Sequence, residues 1–163
     1  MSVRLSIATA CYNLNEEYLR AHIERILSQL TDETELILID DCSTNNTGEV
    51  CREYVRSNDH VRYIRMDKNG GLSSVRNRSI EEAQGEWVFF ADGDDQLSAY
   101  FVKTALRFCD CDAEIIIHER LKFLTALPGI CRAGRSDLSD CPGMPDAPSV
   151  SPVCVLIPIS RKD

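Results

Sequence analysis

The first 127 residues contain no proline, and no apolar run in the 163-residue chain approaches the roughly 18 residues that a membrane-spanning helix needs. No such span is therefore expected. The N-terminal Met1-Ser2-Val3-Arg4 lacks the apolar core of a signal peptide, which makes the cytoplasm the expected compartment. Positive charge is scarce as well: 18 Lys and Arg face 26 Asp and Glu, for a net charge of −8. Nucleic-acid binding wants a basic face, so that class of function is set aside. An acidic chain still binds an anionic phosphate ligand if a metal ion supplies positive charge locally. The eight cysteines include no CxxC pair, and Cys109 and Cys111 stand only two apart. Such spacing gives little support to a structural zinc site, and a reducing compartment argues against a disulfide framework. Most of these cysteines read as small hydrophobes.

What remains is an ordinary globular composition, 44% apolar and 27% charged, at a length suited to one compact domain. Strand and helix patterns alternate along it. Leu5 to Ala10, Glu35 to Ile39, Val61 to Arg65 and Trp87 to Ala91 read as strands, and Ala113 to Ile117 as a fifth. Helical spacing covers Glu16 to Leu30, Glu49 to Arg56, Leu72 to Gln84 and Tyr100 to Phe108, with Ser43 to Gly48 as a turn able to cap the second. This rhythm calls for an α/β fold with an open, mostly parallel sheet flanked by helices. Ligands bind beyond the carboxyl ends of the strands in such sheets. Three polar clusters stand at those ends: Tyr12-Asn13, Asp40-Asp41 and Asp92 to Asp95.

The rhythm stops near residue 127. All six prolines lie at positions 128, 142, 145, 148, 152 and 158, and the segment carries four basic and four acidic residues, so the charge imbalance belongs to the part before it. Residues 1–127 are read as one domain and 128–163 as a Pro-, Ser- and Cys-rich tail. Val153 to Ile157, between Pro152 and Pro158, is its one strand candidate. The tail reads either as a flexible appendage or as the point where the chain departs from its ancestral sequence.

The acids carry the chemistry. Asp92-Gly93-Asp94-Asp95 follows four apolar residues, which presents its carboxylates at a strand end. Mg²⁺ and Mn²⁺ take oxygen ligands, often one or two carboxylates together with substrate phosphates. Gly93 permits a tight turn between the acids. A solvated acidic loop is the competing reading of so short a motif. Asp40-Asp41 ends another apolar strand, where acids are costly without partners; the competing reading is an Asp capping the Ser43–Thr47 turn. Arg76, on the helix after Gly70-Gly71, could reach a phosphate bidentately, with Lys68 and Arg78 as weaker candidates. His22, His60 and His118 show no partner pattern.

Four stretches resemble a known family. Leu5 to Asn13 resembles the VSVIIPTYN opening strand of family 2 glycosyltransferases, and Leu38 to Thr44 is similar to their VVDDGST. Lys68 to Asn77 resembles NxGxxxARN, and Gln84 to Asp95 resembles the GEYIxFLDADD segment that carries their DxD. The order and spacing match over residues 1 to about 117. Two small departures are Ala10-Cys11 for the usual Pro-Thr and Cys42 for the Gly after Asp-Asp.

The resemblance implies a GT-A fold, Rossmann-like, incomplete here at its C-terminus. It implies a nucleoside-diphosphate sugar as donor, Mg²⁺ or Mn²⁺ as cofactor and a saccharide or lipid-linked acceptor, in polysaccharide biosynthesis. A lipid-linked acceptor would bring the protein to the inner face of a membrane as a peripheral partner. Residue by residue, Ala10, Cys11, Tyr12, Asn13 and Asp41 would line the nucleoside pocket, with Tyr12 near the base and Asp41 accepting a hydrogen bond from it. Arg76 would lie near the diphosphate, Asp92 and Gly93 near the ribose or sugar, and Asp94 with Asp95 would hold the metal. Inverting members use a carboxylate base past the DxD. No residue here matches it, and Asp137 and Asp140 sit in no family motif. Two alternatives stay open: a nucleotide-binding fragment that transfers nothing, and an aspartyl-phosphate phosphatase of haloacid dehalogenase type with Asp92 as nucleophile.

Overall fold

The computed structural model describes residues 2–95, 97–110, 116–118, 131–132 and 154–159. Its elements run β1 (Leu5–Cys11), α1 (Glu16–Leu27), β2 (Thr34–Asp40), α2 (Thr47–Ser57), β3 (Val61–Arg65), α3 (Gly71–Glu82), β4 (Trp87–Asp92), α4 (Phe101–Phe108), β5 (Ile116–His118), β6 (Cys131–Arg132) and β7 (Cys154–Pro158). The strands form one sheet in the order β3-β2-β1-β4-β7-β5-β6. The first four are parallel, as expected from helices standing between them; β7 runs antiparallel to both β4 and β5. No helix among the described residues is long and apolar enough to cross a membrane.

Alternation along each strand sorts side chains onto two faces. Leu5, Ile7, Leu36, Leu38 and Phe89 pack with Leu19, Ile23 and Ile26 of α1, Val50 and Cys51 of α2, and Val102 and Ala105 of α4. Their neighbours Ala8, Ile37, Ile39 and Val88 pack on the other face with Val75 of α3. Both faces of β1 and β2 are thus covered, which is why those strands read as nearly continuous apolar runs. Burial of each large aliphatic side chain contributes about 1.5–3 kcal/mol.

Several predicted boundaries shift for visible reasons. α1 ends at Leu27 rather than Leu30, because Gln29 N–H turns back to the Ile26 carbonyl (2.9 Å) and Leu30 N–H to that of Leu27 (3.4 Å). Its N-terminus is capped by the Asn15 side chain, which accepts from Glu17 and Tyr18 N–H. α2 begins after Asn46, whose side chain makes no cap bond and donates instead to Glu16. The strand expected over Val153–Ile157 lies at Cys154–Pro158, paired with β4 in the same sheet. Of the fifth predicted strand, 113–115 fall outside the described residues, as do Asp137 and Asp140.

Register places the site. Cys11 pairs with Asp40 and Ala10 with Asp92, so the ends of β1, β2 and β4 finish level at one edge of the sheet.

Candidate functional site

The three level strand ends open onto a cleft of about 350 Å³ lined by Ala10, Cys11, Tyr12, Leu14, Asp41, Asn69, Gly71, Leu72, Val75, Asp92, Gly93 and Asp94. Most of the residues expected to form a site thus meet in one place. A narrower crevice shares Ala10, Leu72, Val75 and Asp92 with it and adds Arg76 and Phe90. Arg76 is exposed, its guanidinium 5.8 Å from the centre of the Phe90 ring, a cation–π distance. Arg78 turns elsewhere, to Glu81 and Glu82 on its own helix.

Tyr12, 49% exposed, presents an aromatic ring at the cleft, which costs apolar exposure unless something covers it. Cys11 is a buried wall; its thiol is pushed well up, first by its hydrogen bond with Cys51 and then by burial, so it stays protonated. Asn13 does not join the cleft lining. It takes a left-handed backbone (φ 48°), and its side-chain oxygen accepts from Thr44 N–H at 2.8 Å and Thr44 Oγ1 at 3.2 Å. In the other direction its N–H donates to Ser43 Oγ at 3.0 Å. Asn13 therefore ties the loop after β1 to the loop after β2.

Asp40 and Asp41 are buried, at 0% and 4% exposure, and both are fully partnered. Asp40 Oδ1 accepts from Ser43 N–H at 2.8 Å, the turn-capping role the sequence allowed for one of the pair. Its Oδ2 accepts from Tyr63 Oη at 2.8 Å and from Arg65 Nη1 at 2.7 Å. Burial first, and then the bond to Asp40, push the Tyr63 phenol up to about 12. Asp41 spans the start of α3: Oδ1 accepts from Gly70 N–H at 2.7 Å and Oδ2 from Gly71 N–H at 2.8 Å. These amides are the free donors that every helix start leaves, and a carboxylate suits the positive end of the helix dipole. Gly71 supplies the φ of 76° that this start requires. Asp41 thus borders the cleft while both its oxygens are engaged by α3.

The acids at β4 differ. Among the described residues the carboxylates of Asp92, Asp94 and Asp95 make no hydrogen bond or ion pair. The Asp95 carboxyl is pushed up, first by burial and then by the charges of Asp92 and Asp94. Main-chain bonds shape the turn: Gly93 N–H donates to the Ala10 carbonyl at 3.1 Å, and Asp95 N–H to that of Asp92 at 3.0 Å. Gly93 is needed for space, since a Cβ there would lie 2.4 Å from Leu14 Cδ1 and 3.1 Å from the Ala10 oxygen. Hard oxygen donors crowded without a cation fit Mg²⁺ or Mn²⁺. No group of three or more His, Cys, Asp or Glu able to hold a metal exists among the described residues. An ion here would complete its shell with water or phosphate oxygens.

Two contributors were given no role in the sequence reading. His22 is buried, with Nδ1 2.6 Å from the Asp95 carbonyl and Nε2 3.0 Å from Thr9 Oγ1. Burial lowers its pKa below the ordinary histidine range against the pull of Asp95, Asp94 and Asp92. Asn69 lines the cleft and donates from Nδ2 to the Asp41 carbonyl at 3.2 Å. Its place beside Gly70-Gly71 was the available clue.

Comparison with known proteins agrees with this fold. The glycosyl transferase family 2 model matches residues 6–127. Glycosyltransferase GlyG of Streptococcus pneumoniae is 32% identical over 118 residues, which cover 72% of this chain and 39% of that protein. The chain therefore spans about two fifths of the length of that relative. The crystal structure of S. aureus TarS 1-349 superposes with a TM-score of 0.64 at 25% identity, over 77% of this chain and 38% of that one. TarS is also solved with UDP-GlcNAc and with UDP. A mannosyltransferase from Pyrobaculum calidifontis, solved with GDP-Man and Mn²⁺, shares the fold at 17% identity and a TM-score of 0.64, over 74% and 36% of the two chains. None of these likenesses supports the phosphatase reading of Asp92.

Proposed function

The chain belongs to glycosyl transferase family 2 and has a GT-A, Rossmann-like sheet, and from that premise we propose that residues 1–127 bind a nucleoside-diphosphate sugar for transfer to a saccharide or lipid-linked acceptor. The observation that carries the reading is the cleft where Tyr12, Asp41 and Asp92 to Asp94 meet at three level strand ends. Tyr12 stacks on the base. Ala10, Cys11 and Asn69 border it, while Asp41 acts mainly by fixing the start of α3 beneath it. Arg76, propped on Phe90, faces the diphosphate. Asp92 and Gly93 lie toward the ribose and sugar, and Asp94 with Asp95 hold Mg²⁺ or Mn²⁺. When bound, such an ion offsets charge on the departing diphosphate.

No base is assigned for the acceptor hydroxyl. General base catalysis contributes roughly 10²–10⁴-fold, so donor binding and sugar transfer are separable properties. A donor-binding module without transfer is the second reading. It is favoured by the make-up of the cleft, whose lining acids are Asp41, already engaged by Gly70 and Gly71, Asp92, placed toward the ribose and sugar, and Asp94, placed at the metal. The family match supports a role in polysaccharide biosynthesis, and we extend it to peripheral contact with a membrane carrying the acceptor.

Isothermal titration calorimetry with UDP and GDP, in Mn²⁺ and in EDTA, tests the donor site. One nucleotide is expected to bind, and to bind more tightly with Mn²⁺. Binding of neither would overturn the donor site, and equal affinity in EDTA would overturn the metal corner. Release of nucleotide from UDP- or GDP-sugars with saccharide acceptors separates the two readings.

A further inference from the structure

We propose that His22 is a positioning residue that holds the Asp92–Asp95 turn in the shape needed to take a divalent cation. The proposal rests on the reading of that turn as the metal corner. His22 sits on α1, far from the turn in sequence, and is 1% exposed. A carbonyl oxygen can only accept, so Nδ1 carries the hydrogen donated to Asp95 at 2.6 Å. Nε2 then accepts the Thr9 hydroxyl at 3.0 Å. Both ring nitrogens are thereby used in one tautomer, and the ring has no second orientation that satisfies both partners.

Thr9 lies inside the sheet, paired with Ala91 of β4. The ring therefore links the peptide of Asp95 to the rigid strand beside it. That link matters because the turn has little else. Two main-chain bonds shape it, and three carboxylates crowded within four residues work to open it. A hydrogen bond of this type to the peptide of a metal-bearing residue acts as outer-shell partners of metal sites do, by fixing the direction of the ligand before the metal arrives.

The test is Mn²⁺ affinity, read by calorimetry in saturating UDP, or in GDP if only that nucleotide binds. His22→Leu is expected to weaken Mn²⁺ binding about 10-fold while nucleotide affinity in EDTA stays within about twofold. His22→Asn places an amide nitrogen where Nδ1 stood and is expected to restore Mn²⁺ affinity to within about threefold of the parent. His22→Gln reaches toward Thr9 instead and is not expected to restore it. Unchanged Mn²⁺ affinity in His22→Leu, or equal losses with and without metal, would overturn the proposal. So would a Gln variant that binds Mn²⁺ as well as the Asn variant does. If His22→Leu does not fold, the Asn and Gln pair decides alone. A parent protein whose nucleotide binding ignores Mn²⁺ would remove the metal corner itself. That result is distinct from a metal-dependent parent whose His22 variants all behave alike.

Discussion

Two acidic strand ends flank β1 at one edge of the sheet, Asp40-Asp41 at β2 and Asp92 to Asp95 at β4, and the protein treats their charges in opposite ways. At β2 every carboxylate oxygen has a donor: Ser43, Tyr63 and Arg65 serve Asp40, and the amides of Gly70 and Gly71 serve Asp41. At β4 the three carboxylates share a turn with no donor among the described residues, and burial first, then the charges of Asp92 and Asp94, make Asp95 hold its proton more tightly. Acids that already have partners organise the fold. Acids left beside one another at the mouth of a cleft suit the cation that we propose arrives with the nucleotide.

Single substitutions should separate the two corners. The largest effect is expected from Asp40→Ala, which leaves the buried Ser43 amide and Tyr63 hydroxyl without an acceptor and costs about 3 kcal/mol in urea unfolding. Asp94→Ala, at an exposed position, should cost less than about 0.5 kcal/mol and yet remove the Mn²⁺ dependence of nucleotide binding. Equal stability losses at the two sites would erase the distinction between them.

Next in size is Gly93→Ala. The added methyl meets Leu14 and the Ala10 carbonyl, so a loss of about 1–3 kcal/mol is expected, with part recovered by Leu14→Ala in the same chain.

The β2 corner should also respond to alkali. The Tyr63 phenol is raised from an ordinary value near 10 to about 12 in the fold, so the folded state favours the protonated form. Its contribution to stability is present below about pH 10 and is lost as pH rises through about 12. Melting curves across that interval should show the loss, and Tyr63→Phe should flatten it. The smallest effect belongs to Cys42, which sits at φ 62° at the place of the glycine in the VVDDGST motif that this stretch resembles. Cys42→Gly should gain about 0.5–1 kcal/mol, the relief of a left-handed backbone less the entropy that glycine costs.

Much of this was readable in the residues. The alternation of apolar runs with helical spacing specified the four parallel strands, and with them the edge at which Tyr12, Asp41 and Asp92 meet. Local spacing could not say which acids would be consumed. The partners of Asp40 on β3 lie 23 and 25 residues away, and His22 meets Asp95 across 73 residues. Such pairings exist only once register is fixed. Gly93 illustrates the same point, since its constraint comes from Leu14 across the loop rather than from its own backbone angles. The early end of α1 was likewise invisible to periodicity, because Leu30 keeps the apolar spacing while the chain is already turning.

The most direct test compares melting temperatures of the parent and Asp94→Ala proteins with UDP or GDP, in Mn²⁺ and in EDTA. A ligand at 100 times its Kd stabilises by about 2.7 kcal/mol, roughly 5–10 °C for a domain of this size. The parent is expected to gain that shift in Mn²⁺ and little of it in EDTA, and Asp94→Ala to gain little in either. An equal shift for the parent in Mn²⁺ and EDTA, or an undiminished Mn²⁺ shift in Asp94→Ala, would contradict the assignment of the β4 acids as the metal corner of a nucleotide site.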